Sequence, residues 1–136
     1  MHAPYGARGY VQTQARSSSP LELVVMLYDG ALRFCEQAAD AMDKGDMAAK
    51  AVAMSRAFAI LSELQSTLDL ERGGEVARRL DDLYTYMLSR VMASVASQDP
   101  APLDEVRGLL TSLADAWRQI STAPPDAPPT PAGSRA

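Results

Sequence analysis

The sequence predicts an all-α fold: an antiparallel, up-down-up-down four-helix bundle over residues 19–121. A flexible N-terminal arm (1–18) precedes it and a disordered, Pro-rich C-terminal tail (122–136) follows. Three observations predict it. Apolar residues recur at three- and four-residue spacing over four stretches of about 20–26 residues. Short turn signals separate those stretches, and no run reads as a strand. Helices of similar length joined by short turns pack best as antiparallel neighbours.

The first helix has a complete start signal: Ser19 as cap, Pro20 in the first helical position, and Glu22 where a capping box needs it. It runs to about Lys44, where Gly45 reads as the stop. Leu21, Val24, Val25, Tyr28, Ala31, Leu32 and Cys35 make one apolar stripe; Leu23, Leu27 and Phe34 make a second. A surface helix shows one stripe, so this helix is either central or covered later by something else. Asp46 caps the second helix, whose stripe is Met47, Ala51, Met54, Phe58, Leu61, Leu64 or Gln65, and Leu68. Gly73-Gly74 breaks the pattern, and Glu75 lies in the first turn of the third helix, with Val76, Leu80, Leu83, Met87, Val91 and Val95 inward. After the punctuation at 97–102, the last helix carries Leu103, Val106, Leu110, Leu113, Trp117 and Ile120. Beyond Ser121 lie five of the nine prolines, which no helix tolerates.

Composition narrows the function. A net charge of −4 over 136 residues argues against sequence-independent nucleic-acid binding, which needs a basic patch. Cys35 is the sole cysteine, so there is no disulfide framework and a reduced, cytosolic setting is expected; its place on the stripe makes it a buried, inert thiol. The N-terminus lacks the apolar run of a signal peptide, and Leu23–Tyr28 falls far short of the roughly 20 residues that cross a membrane. No membrane insertion is expected.

Enzyme chemistry is missing. The only histidine, His2, sits in the arm, so no His–carboxylate relay or helical metal-ligand set can form, and Gly73-Gly74 lacks the pattern of a phosphate loop. Asp81-Asp82 and the Asp40/Asp43 pair read as a solvated face. The expectation is a non-enzyme with no catalytic, cofactor or metal residues and no cofactor. Asp29 either sits on a helix edge, accepting from an arginine or the backbone, or orients a partner beside a groove. Gly30 implies close approach of a neighbouring helix. Of Tyr84 and Tyr86, one belongs in the core with its hydroxyl at the rim, the other near the surface.

Apolar surplus remains. Leu23, Leu27 and Phe34, Ile60 and Leu64, Tyr84, Leu88 and Met92, and Leu109 exceed the roughly three positions per heptad that a bundle interior takes. They are boundary positions or an exposed strip, and exposed strips mark interfaces. Leu23, Leu27, Ile60, Leu64, Tyr84 and Leu88 are the expected lining of a partner groove, serving either helix-in-groove recognition or homodimerisation.

An ordered set of motifs over residues 10–120 resembles a known family. It comprises Tyr10; Ser19-Pro20-x-x-Leu23-x-x-Met26-Leu27-Tyr28-Asp29-Gly30-Ala31-Leu32; and Leu64-x-x-Thr67-Leu68-Asp69. Gly73-Gly74-Glu75-Val76-Ala77, Leu80-Asp81-x-Leu83-Tyr84-x-Tyr86-Met87 and Leu109-Leu110-x-x-Leu113-x-x-Ala116-Trp117 complete it. Together they resemble the flagellar secretion chaperone FliS family. The resemblance implies a cytosolic four-helix chaperone whose grooves bind the C-terminal segment of flagellin, disordered before assembly, and which works with the flagellar type III export gate. It also implies an arm that covers part of the groove, Tyr10 matching its characteristic tyrosine. The sequence departs from the family at Ala93-Ser94, where an Ala-Asn pair is common, and at Val91 and Val95, where leucines are. The alternative is a homodimerising structural or regulatory helical module without a client, a weak homodimer using the same strips.

Overall fold

The computed structural model describes residues 19–121 as four helices: α1 Pro20–Lys44, α2 Met47–Ser66, α3 Leu70–Val95 and α4 Ala101–Ser121. The expected arm and tail lie outside the described residues. Local chemistry explains the boundaries. The Ser19 hydroxyl accepts from the Glu22 N–H at 3.1 Å while the Glu22 carboxylate accepts from the Ser19 N–H at 2.9 Å, the reciprocal capping box. At the other end Gly45 takes φ 72°, and the N–H groups of Gly45 and Asp46 return to the carbonyls of Met42 and Ala41 at 3.1 and 2.9 Å. This is a Schellman closure, which favours glycine because a Cβ is strained at positive φ. Asp46 then caps α2 through the Ala49 N–H at 3.0 Å, leaving a reversal too short for anything but antiparallel packing.

α1 lies between α2 and α4, and α3 lies between the same two, so α1 and α3 are diagonal. Cross-helix partners run in opposite directions between α1 and α2, Gly30 with Ile60 and Phe34 with Arg56, and between α2 and α3, Lys50 with Ser97 and Gln65 with Asp81, while α4 joins α3 through Glu105 and Arg90 and joins α1 through Arg118 and Asp29. The bundle is therefore antiparallel throughout. Asp29 takes the helix-edge alternative, paired with an arginine. Gly30 is buried, and a Cβ there would lie 3.2 Å from Ile60 Cδ1, so the close approach of α2 is the reason for the glycine.

Two expectations need correction. The expected break at Gly73-Gly74 is present, but a helical turn precedes it, so the third element starts at Leu70. Asp69 caps a turn that starts at Leu70, its carboxylate accepting from the Arg72 N–H at 3.1 Å, and the kink is at Gly74 with φ 57° and ψ −135°. Glycine alone tolerates that conformation, and Gly73 is required too, since its Cβ would meet Ala77 Cβ at 2.5 Å. Second, the inward stripes were mis-drawn at the helix ends. Val76 is 68% exposed and Val95 44%, whereas their small neighbours Ala77 and Ser94 are buried. Met47 and Ile120 are likewise exposed. At these positions the small residue faces inward and the bulky one is left outside.

The core takes residues from both stripes of α1: Tyr28, Ala31 and Cys35 from one, Leu27 and Phe34 from the other. A helix packed on two sides needs that wide a face. The Tyr28 and Tyr84 hydroxyls hydrogen-bond to each other inside the bundle, so the Tyr84 hydroxyl is not at the rim. Tyr86 is 42% exposed, and its hydroxyl donates to Glu105 Oε2 at 2.6 Å while Arg90 Nε donates to Oε1 at 2.9 Å. Lys50 is buried, its ammonium donating to the Ser97 carbonyl at 2.7 Å just past the C-terminus of α3.

Three outcomes are expected. Gly74→Ala forces a side chain into left-handed backbone and destabilises by about 1–3 kcal/mol, read as a lower urea midpoint at constant slope; an unchanged midpoint would show that the kink relaxes freely. Tyr28→Phe and Tyr84→Phe each strand a buried hydroxyl at a cost of about 1–3 kcal/mol. The double variant loses less than the sum, because no orphan remains, and strict additivity in urea titrations counts against the shared bond. Glu105 is held below the usual carboxylate range by the Tyr86 hydroxyl and Arg90. Its contribution is thus present above the unfolded value of about 4.3 and fades as pH falls through the lower folded value. The stability gap between the wild type and Glu105→Gln should shrink below about pH 4; a pH-independent gap rejects the assignment.

Candidate functional site

Two apolar grooves open on the bundle, both involving α2 and α3. The first, about 300 Å3, lies where α2 ends and α3 begins. Val24 of α1, Leu64 and Leu68 near the end of α2, Val76, Leu80 and Tyr84 of α3 and Trp117 of α4 line it, with Thr67, Asp69 and Gly73 at its edge. At its edge the chain leaves the α2 helix at Thr67, is capped again by Asp69 and kinks at Gly74. The second groove, about 280 Å3, lies toward the other end of the α2–α3 seam, between Ala51, Met54, Ser55 and Phe58 and Val91, Met92 and Val95. Met92 at 56% and Val95 at 44% exposure form its outer lip.

The floor of the first groove is aromatic. Tyr84 stands 6.4 Å from Tyr28, and Tyr28 6.5 Å from Trp117, centroid to centroid, all tilted. Burial pushes both tyrosine hydroxyls above their ordinary pKa; the Tyr28 bond raises Tyr84 further, whereas the Tyr84 and Trp117 contacts lower Tyr28. Both are neutral under any physiological condition. The Trp117 indole N–H faces the Tyr28 hydroxyl without closing a hydrogen bond, and it is a buried donor without a partner among the described residues. Burial raises the Cys35 thiol to about 12, with only minor influence from Arg107, so it is no nucleophile. Among the described residues no cluster of metal-ligating side chains occurs, and no helix is long and apolar enough to cross a membrane. The arrangement offers two apolar recesses along the α2–α3 seam.

The expected groove residues fall in different places. Tyr10 lies outside the described residues. Leu64 and Tyr84, at 1% and 2% exposure, are core residues that floor the first groove. Leu27 is core. Ile60 and Leu88 are half-buried against the core, and Leu23 is half-buried away from it. None of these last four lines either groove. Sequence reasoning placed Val24, Leu68, Val76, Leu80 and Trp117 of one groove and Met54, Phe58, Val91 and Val95 of the other on core stripes, and it counted Met92 as surplus without assigning it to a groove. Position was a signal for Leu68, Val76 and Val95, which lie near a turn or a helix end, whereas Met54, Phe58 and Leu80 are inside their helices and carried none.

Comparison with known proteins agrees with the architecture. A family model described as flagellar protein FliS matches residues 1–124. The chain is similar to the flagellar secretion chaperone FliS of Salmonella typhimurium, 38% identical over 126 residues, covering 89% of this chain and 93% of that one. It is 36% identical over 111 residues to the flagellar secretion chaperone FliSB of Pseudomonas aeruginosa, covering 82% and 88%, and 36% over 116 residues to FliS of Bacillus subtilis, covering 85% and 84%. The chain belongs to the FliS family of flagellar proteins.

Proposed function

We propose that this protein is a cytosolic flagellar secretion chaperone that holds the C-terminal segment of flagellin in its apolar grooves until delivery to the flagellar type III export gate. Family membership supports the chaperone role, and the observation that carries the client mode is the pair of open apolar grooves along α2 and α3. Energetics favour a client that uses both. Ordering a disordered segment costs about 2–5 kcal/mol and association itself about 4–15 kcal/mol. At about 25 cal/mol per Å2, offsetting those terms takes several hundred Å2 of apolar surface. One small groove does not supply that, whereas α3 after the Gly74 kink, residues 75–95, runs about 32 Å and links the two. A segment laid along the seam as amphipathic helices would bury its polymerising face. Release needs no nucleotide, because another surface can compete for the same apolar face.

Calorimetry tests the reading. Full-length flagellin should bind at one-to-one stoichiometry, and a flagellin lacking its last about 40 residues, enough for two or three ordinary helices, should not. Undiminished binding by the truncated form defeats the proposal. Val76→Glu and Met92→Glu place charges on opposite grooves at exposed positions, so each should weaken flagellin by at least about tenfold, near 1.4 kcal/mol, while circular dichroism stays helical. A stable dimer by light scattering, with no flagellin affinity, would favour the homodimerising module instead.

A further inference from the structure

The cations of the described bundle are mostly paired. Arg72, Arg79, Arg90, Arg107 and Arg118 each meet a carboxylate, Lys44 meets Asp40, and Lys50 donates to the Ser97 carbonyl. Arg33, Arg56 and Arg78 have neither a carboxylate nor a hydrogen-bond partner among the described residues, and of the three Arg33 and Arg56 are the ones that share a neighbour. They belong to different helices, yet they converge on one ring. The Arg33 guanidinium carbon lies 5.8 Å from the Phe34 centroid and that of Arg56 lies 5.7 Å from it. Phe34 itself is only 6% exposed, so the ring is part of the core and the two exposed cations sit above it at the α1–α2 seam.

The convergence follows from the packing. Gly30 lets Ile60 approach, which narrows the seam one turn away from Phe34. Arg33 leans back along α1, its Nη2 3.9 Å from where a Gly30 Cβ would stand. Ring contact of this kind offsets part of the repulsion between the cations, at about 0.5–1 kcal/mol each for exposed pairs. It leaves the planar N–H donors unused, and a guanidinium fork with unused donors is matched to a carboxylate. We propose that Arg33 and Arg56, seated on Phe34 at the α1–α2 seam, form a docking point for a carboxylate-bearing segment of a protein partner. The site shares no residue with either apolar groove and does not depend on what fills them.

Charge selects the occupant. Two cations cannot neutralise the run of phosphates that nucleic-acid binding needs, and Glu36 and Glu63 follow on the same two helices in a chain of net charge −4. A single acidic side chain or short acidic stretch requires no more than the pair provides.

The test is an NMR titration of the full-length 15N-labelled protein, at low salt, with an end-capped hexaglutamate peptide, hexaglutamine and inorganic phosphate as probes. The Arg33 and Arg56 Nε–Hε signals should move together and saturate with hexaglutamate, and hexaglutamine should leave them unmoved. The response should weaken at least severalfold between about 20 and 200 mM salt. Arg33→Gln/Arg56→Gln should reduce the peptide affinity by about tenfold or more, and Arg78→Gln should not. Arg33→Lys/Arg56→Lys, which preserves charge and apolar stem, should bind severalfold more weakly than the wild type because the fork is lost; it also serves if the glutamine pair fails to fold. Unchanged affinity in either double variant overturns the proposal, as do shifts that track Arg78 or saturation by phosphate below the peptide concentration.

Discussion

The bond between the Tyr28 and Tyr84 hydroxyls joins the two helices that do not otherwise neighbour each other. α1 and α3 sit diagonally, separated by α2 and α4, and this one polar contact crosses the interior between them. Two hydroxyls buried in an apolar core are costly apart and satisfied together, so the pair sets the rotation of both helices about their axes. Trp117 of α4 stacks against the same ring of Tyr28 and brings a third helix to the point. The orientation of α3 decides which residues face the α2–α3 seam, and through Tyr84 the bond forms the floor of the first groove.

The grooves themselves arise from incomplete closure at both ends of that seam. Near Thr67–Gly74 the backbone makes a turn, a cap at Asp69 and a kink at Gly74, which interrupt the α2–α3 packing there. At the other end the small residues Ala51 and Ser55 face Val91 and Met92 without filling the space between the helices. A bundle that completed these layers would be more stable as a monomer. Left open, they remain as apolar recesses on a body in which α1 packs against both α2 and α4. Separation of roles is visible at the α1–α2 seam, which is the tightly packed one: there the contact is close enough to need Gly30, and the surface above it is cationic rather than apolar.

Much of the fold was legible in the residues. Ser19, Pro20 and Glu22 mark one helix start and Gly45-Asp46 a reversal, because capping and left-handed closure involve residues a few positions apart. The pairing of Asp29 and the close approach at Gly30 were also anticipated from the cost of a charge or a glycine inside an apolar helix. The site was less legible. Leu64 and Tyr84 belong to the first groove, while Leu23, Leu27, Ile60 and Leu88 do not, because surplus over a stripe measures how wide a buried face is rather than where packing stops. Val76 and Val95 show the reverse error: three- and four-residue spacing puts them inward, and Ala77 and Ser94 are buried there instead.

The sequence alone determined the helices, their order, the sharp reversal after α1 and the family to which the chain belongs, since each rests on local capping, periodicity or ordered motifs. Only the tertiary structure decided which apolar side chains remain uncovered, that the two tyrosine hydroxyls satisfy each other, and that Arg33 and Arg56 meet over Phe34. Those outcomes depend on helix rotation and on the distance between residues far apart in the chain, and periodicity constrains neither.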